Sequence, residues 1–219
     1  MILGDNLVEA ARDLRYLLSR GYSREASVRF VATGHGVTLG ERYILMRAVY
    51  DDAEAEKRRR KLVSLDEIRG ETVSIDGYNL LITVESMLAK KLLVQCDDNI
   101  TRDVSGVFGK HKITTVTTQA LSLILRKLKD HAPKEVRFTY DKQVSKSGEL
   151  ASQTRMMMAE FELKGTATTA LKTDIATLES GGVTVSSDSV VVDRAKRILD
   201  LAGELARQES YSNILRLPH

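Results

Sequence analysis

The chain has 219 residues, of which 42% are hydrophobic and 29% charged, with a formal net charge of +3. That length suits one large domain, or one domain with a small appendage. No apolar run reaches the ~18–20 residues of a membrane helix and no signal-peptide pattern opens the chain, so the cytoplasm is the expected setting, with no membrane partner. A single cysteine, Cys96, excludes an internal disulfide and a cysteine-ligated zinc cluster.

The first third reads as helical. Leu7, Ala10, Ala11, Leu14, Leu17 and Leu18 recur at the spacing of one helix face. Asn6 with Glu9 has the capping-box pattern, and Gly21 supplies a stop. Ser23 opens a second helix that ends near Gly34, and Thr38 with Glu41 opens a third. This third helix is expected to run on into DDAEAEKRRRK, which is polar all round and so reads as exposed. Residues 1–69 are read as a helical module with a projecting basic end.

From Glu71 the period changes. TVSI, LLVQC, VRFTY and VTVSS read as strands, with a weaker one around Ala167–Leu171. Helices are expected after TVSI, over ITTVTTQALSLILRKLKDH, over SGELASQTRMMMAEFEL and near Asp174–Ser180. A long last one covers DSVVVDRAKRILDLAGELARQ. Alternation of this kind predicts an α/β domain over residues 70–219, with a parallel sheet flanked by helices.

Each of the four clearer strands runs straight into aspartate: Asp76, Asp97 (with Asp98), Asp141 and Asp188. In a parallel sheet the carboxyl ends of the strands share one edge, where α/β folds place their ligand sites. Carboxylates gathered there repel one another unless protonated or neutralised by a cation. With oxygen donors alone, the expected cation is Mg²⁺ or Mn²⁺. The competing reading is that each aspartate caps the helix that follows it. Asp193, five residues after Asp188, is a further candidate, set against a plain first-turn acid. Asn79 is either an orienting group for substrate or water, or a turn residue.

Two of these stretches carry a resemblance. IDGYNLL at 75–81 resembles the opening motif of the NYN branch of the PIN-like ribonuclease superfamily, and VTVSSDSVVVDRA at 183–195 resembles that superfamily's later motif. The order of elements between them is also similar, so the resemblance covers roughly residues 70–205. It implies a PIN/NYN-like fold and metal-dependent endoribonuclease chemistry with Asp76, Asp141, Asp188 and Asp193 as the acids. Where members often have a simple acid–glycine turn after the middle strand, this chain has DKQVSKSGE. The broader superfamily gives no role to Asp97, Asp98 and Asp103. The chain as a whole resembles an uncharacterised, mostly archaeal family that joins an N-terminal helical segment to such a domain.

The cations complete the reading. KRRRK, with Arg58, Arg59, Arg60 and Lys61, reads either as a solvated helix face or as a contact for an RNA backbone. Lys142 and Lys146, beside Asp141, suit a phosphate, against a solvated loop with Ser147 as cap. Arg102, Lys110, His111 and Lys112 form a second basic stretch, in which His111 reads as a surface histidine rather than a general acid. The expected function is therefore Mg²⁺- or Mn²⁺-dependent cleavage of RNA. Two alternatives stand beside it: a non-catalytic RNA-binding adaptor on the same fold, and a phosphoesterase for small nucleotides. Association into a homo-oligomer is left open.

Overall fold

The structure is a computed structural model that describes residues 4–104 and 111–218. The chain divides into two compact units, and it passes between them more than once. The first unit takes residues 4–60, 92–104 and 213–218; the second takes 61–91 and 111–212.

In the first unit, helices α1 (Asp5–Ser19), α2 (Arg24–Gly34) and α3 (Leu39–Ala48) follow the apolar periodicity. Leu7, Leu14, Val28 and Leu45 are fully or almost fully buried along their facing sides. The side chain of Ser23 accepts from the Ala26 N–H, and both reciprocal bonds of the Thr38–Glu41 capping box form. The first helix instead begins two residues early, with Gly4 rather than Asn6 at its N-cap and without a side-chain cap. The expected continuation of the third helix into the basic run does not occur. Val49 is extended, and Asp51 caps a separate helix, α4 (Asp52–Arg59), by accepting from the Glu54 N–H. Nor is α4 exposed all round, because Ala55 and Arg58 are buried.

This unit also holds a small sheet, β3–β2–β7, built from β2 (Leu93–Gln95), β3 (Thr101–Asp103) and β7 (Ile214–Arg216). Strand β2 runs antiparallel to β3 and parallel to β7. LLVQC is thus a strand, as its β-branched and apolar content suggests, but it does not belong to the main sheet. Two neighbours distant in sequence or masked by polar composition, DDNITRD and SNILRL, supply its partners.

The second unit is α/β. Its sheet has the order β5–β4–β1–β6 and is parallel throughout. The strands are β1 (Thr72–Asp76), β4 (Glu135–Asp141), β5 (Gly165–Ala170) and β6 (Val183–Val185). Helices α5 (Gly77–Leu88), α6 (Thr115–Asp130), α7 (Ser147–Glu160) and α8 (Thr173–Glu179) connect them. Central strands with water excluded from both faces need apolar side chains on both, and Val73, Ile75, Val136, Phe138 and Val183 are at most 1% exposed. Each such side chain contributes roughly 1.5–3 kcal/mol by leaving water.

The long last helix expected after β6 breaks in two. A short α9 (Ser189–Arg194) ends where Ile198 forms bridges with Leu62 and Thr184, and α10 (Leu201–Gln208) starts afresh on Asp200. Backbone pairing at Ile198 competes with helix there, and a buried apolar side chain at that position rewards it. No helix among the described residues is long and apolar enough to cross a membrane.

Candidate active site

Strand β1 has β4 on one side and β6 on the other. The chain goes on from β1 to β4 on one side and later crosses from β5 to β6 on the other, so the strand order reverses at β1 and a crevice opens at the carboxyl ends of the strands. Asp76 closes β1; it is paired in register with Thr139, so Asp141 projects two residues further along β4. Asp188 follows β6 by three residues. These aspartates face a cleft of about 400 Å³ that is also lined by Tyr78, Asn79, His111, Lys172 and Asp174.

The local sequence explains how the cleft is held. In IDGYN, Asp76 ends the strand and caps α5, its Oδ1 accepting from the Asn79 N–H at 3.4 Å. A Cβ on Gly77 would enter the ring of Tyr140, which packs directly over that position, so the glycine is a steric requirement. The Tyr78 ring stands edge-on to both Tyr140 and His111. The side-chain oxygen of Asn79 accepts two hydrogen bonds from Ser187, from the N–H at 2.8 Å and the hydroxyl at 2.6 Å. DGYN and SSD, about a hundred residues apart, are thereby tied together at the end of adjacent strands. Asn79 acts on the turn that carries Asp188, and its oxygen is occupied there rather than offered to water or substrate.

The aspartates that line the cleft also serve the turns and helices that follow them. Asp188 caps α9 by accepting from the Val190 and Val191 N–H groups, while Asp141 accepts from the Gln143 N–H within its own turn. The remaining oxygen of Asp76 accepts from the Ser186 hydroxyl at 3.2 Å, and Ser186 in turn accepts from the Asp188 N–H. Burial pushes the Asp76 carboxyl up to about 7. The Asn79 N–H and the Ser186 hydroxyl oppose that rise, and the negative charges of Asp188 and Asp141 add to it. The Tyr78 hydroxyl is raised to about 12, mainly by burial and further by Asp141. Among the described residues no three His, Cys, Asp or Glu groups stand close enough to hold one ion together.

The other expected site residues are placed differently. Asp97 and Asp98 belong to the first unit and follow β2, which is a strand of the small sheet and not of the parallel one. Arg15 grips Asp97 through two hydrogen bonds of 2.9 and 2.8 Å, and Arg102 grips Asp98 through two of 2.7 Å. Asp193 is not among the cleft-lining residues; it sits exposed on α9, where its carbonyl accepts from Lys61.

The basic run serves mostly inside its own fold. Arg58 is 1% exposed, bonded to Asp98 and Glu54 and stacked over the Tyr50 ring, so it cannot reach RNA. Arg59 bonds Glu56 and the Asp97 carbonyl, and Arg60 bonds Glu56 while keeping most of its side chain in solvent. Lys61 donates to the Val192 and Asp193 carbonyls. Lys142 and Lys146 are exposed beside Asp141, Lys146 in a left-handed conformation at the start of α7. His111 is buried rather than superficial, and Lys110 lies outside the described residues. Sequence reading missed Asp174, Lys172 and Glu85. None belongs to a motif, and only the path of β5 and α8 brings the first two to the cleft.

With this cleft on a four-stranded parallel sheet, the molecule belongs to the α/β proteins with a strand-end acidic site. The chain belongs to the family described as a domain of unknown function, DUF5616, which matches residues 65–204. A protein family of unknown function, DUF434, matches residues 6–61. An uncharacterised protein of Methanocaldococcus jannaschii is 36% identical over 201 residues, covering 91% of this chain and 96% of the relative. No solved structure matches.

Proposed function

We propose that the second unit is a PIN/NYN-like hydrolase that cleaves phosphodiester bonds in RNA with the help of Mg²⁺ or Mn²⁺. The observation that carries this reading is the state of Asp76, whose carboxyl is pushed up to about 7 in a cleft shared with Asp141 and Asp188. Carboxylates held together without a basic partner are costly unless something positive joins them.

A hard divalent cation suits this donor set, since every candidate ligand is a carboxylate oxygen. Mg²⁺ usually takes only one or two carboxylates and fills its remaining positions with water and substrate oxygens, so a three-acid cage is not required. Such an ion, when bound, supplies a hydroxide nucleophile near neutral pH and charge stabilisation for the phosphate. Asp76 and either Asp141 or Asp188 would hold it. Asn79 keeps Ser187 and the Asp188 turn in register with β1. Lys142, Lys146 and Lys172 offer positive charge to a phosphate at the rim.

A small-nucleotide phosphoesterase is the second reading. It is favoured by the cleft volume, within the usual small-molecule range, and by the use of Arg58 inside the fold. Both readings are tested by thermal unfolding with and without Mn²⁺, followed by hydrolysis of a short RNA and of a dinucleotide. A ligand at a hundred times its dissociation constant stabilises the folded state by about 2.7 kcal/mol. The expected result is a raised midpoint in wild type, none in Asp76→Asn, and Mn²⁺-dependent RNA cleavage that the same variant lacks. Hydrolysis of the dinucleotide alone would select the second reading, and no Mn²⁺ response in wild type would overturn both.

A further inference from the structure

At the cleft wall, a carboxylate on α5 and an imidazole from the segment before α6 form a pair with no role so far. Along α5, Asn79 and Ile82 line the cleft, and Glu85 follows at the same three-residue spacing, on the same face one turn further on. The Nε2 of His111 lies 2.9 and 3.0 Å from the two oxygens of Glu85. Thr117, in the first turn of α6, donates its hydroxyl to the same carboxylate at 2.6 Å. The Tyr78 ring stands edge-on against the imidazole, 5.3 Å between centroids. Histidine orientation is therefore set from two sides, and the residue faces the cleft that also holds Asp76 and Asp141.

The tautomer follows from the partner. An ionised carboxylate can only accept, so Nε2 carries a proton and Nδ1 is left as the exchangeable site. Among the described residues, Nδ1 makes no hydrogen bond. A carboxylate behind one ring nitrogen of a histidine that lines a cleft is the arrangement that lets imidazole move a proton.

We infer that His111 is the general acid of the phosphodiester cleavage, with Glu85 as its positioning residue; this rests on the hydrolase reading above. The attacking water gives up one proton to solvent as its oxygen forms the new bond to phosphorus, and the bond from phosphorus to the leaving ester oxygen breaks. That oxygen keeps the electron pair and receives the Nδ1 proton of the doubly protonated ring. The neutral imidazole, still donating through Nε2 to Glu85, is reprotonated from solvent. The need for this proton depends on the leaving group: a ribose oxygen departs poorly as an alkoxide, whereas nitrophenolate departs without help.

The experiment compares a short unstructured RNA with the p-nitrophenyl ester of thymidine 5′-phosphate, both with Mn²⁺. Wild type, His111→Gln, Glu85→Gln and Asp76→Asn are assayed, and each variant's unfolding midpoint is recorded. Loss of a general acid typically costs 10²–10⁴-fold, so His111→Gln is expected to slow RNA cleavage by at least about a hundredfold. The same variant is expected to change nitrophenyl ester hydrolysis by less than about threefold, the outcome when proton delivery alone is removed. Glu85→Gln is expected to show the same split, smaller. Asp76→Asn is expected to lose both activities. If His111→Gln slows both substrates alike, or neither, the proposal is overturned while the hydrolase reading stands. If wild type turns over neither substrate, the hydrolase reading falls and takes the general acid with it. A variant that fails to fold loses both activities together with its midpoint, and Glu85→Gln then decides through the same split.

Discussion

The two units treat strand-end aspartates in opposite ways. In the first, Asp98 is completely buried, bonded by both Arg102 amino nitrogens and by Arg58. Three guanidinium groups, those of Arg24, Arg58 and Arg102, stand 4.2–5.3 Å from the Tyr50 ring centroid. Burial alone would raise the Asp98 carboxyl, but Arg102, then the Ile100 N–H and Arg58, outweigh it and hold it below the ordinary carboxylate range. In the second unit, burial wins at Asp76, and its nearest charges are those of Asp188 and Asp141. The same residue type after the same kind of strand is a structural ion pair in one place and, in the other, an acid with no ion pair among the described residues. What separates them is the cation supplied by neighbouring elements. That contrast makes the second cluster the functional candidate, since perturbed acids in a cleft mark sites more often than paired ones do.

The largest expected effect comes from breaking the paired side. Asp98→Ala leaves Arg58 and Arg102 buried with part of their partner gone, and removal of one partner of a buried pair costs roughly 3–5 kcal/mol. Chemical denaturation of the variant at pH 7 should show that loss in its midpoint. The pH sense is also specified. Because the Asp98 carboxyl is lowered in the folded state, its contribution is present above the unfolded value and fades as pH falls through the folded one. The variant should therefore lose less stability on acidification than wild type.

Asp76 is expected to show the opposite sense. Its folded value, about 7, lies above the ordinary carboxylate value, so the folded state holds the proton more tightly than the unfolded state does. The contribution of Asp76 to stability is then greatest below about pH 4, falls as pH rises towards 7, and levels off above. A gap of about three pH units corresponds to roughly 4 kcal/mol as an upper bound, and partial contact with the cleft brings the expectation to roughly 2–4. Asp76→Asn should remove this dependence, becoming more stable than wild type at pH 8 without divalent ions. Urea midpoints at pH 5 and 8 measure it. Equal pH dependence in both proteins would show that Asp76 is neutralised by some other group.

The smallest effect sharpens the reading of the basic run. Arg60 keeps a side-chain exposure of 77% and, among the described residues, pairs only with the half-exposed Glu56. Arg60→Ala is expected to change stability by less than about 0.5 kcal/mol, as surface pairs usually do. Arg58→Ala, two residues earlier, should behave instead like loss of Asp98. A thermal melt of the two variants side by side would separate structural from solvent-facing cations within KRRRK.

Much of the site was legible in the chain. TVSID followed by GYN announces a strand and offers a capping aspartate, and the structure bears both out in Ile75 and Asp76, while the close approach of Tyr140 to Gly77 came only with the fold. VTVSSD gave the second half of the cleft for the same reason, since strand period and capping chemistry act over a few residues. What failed was membership. LLVQC has the composition of a buried strand, yet nothing in those five residues states which sheet will pair with it. Its partners at 101–103 and 214–216 are too short and polar to announce themselves. Placing it in the wrong sheet carried Asp97 and Asp98 into the wrong site. Arg58 was misread likewise: charge pattern predicts solvent, and only a distant carboxylate and an aromatic ring make its burial affordable.

The chain by itself determined the local grammar: helix faces, capping residues, the strands of the parallel sheet, and the aspartates that end β1 and β4 and follow β6. These depend on dihedral preference, periodicity and short-range hydrogen bonds. The tertiary structure alone decided which aspartates meet cations and which meet each other. It also decided that Asn79 reaches Ser187 and that His111 reaches Glu85. Electrostatic fate depends on distances between groups far apart in sequence, and those are settled only when strands choose their neighbours.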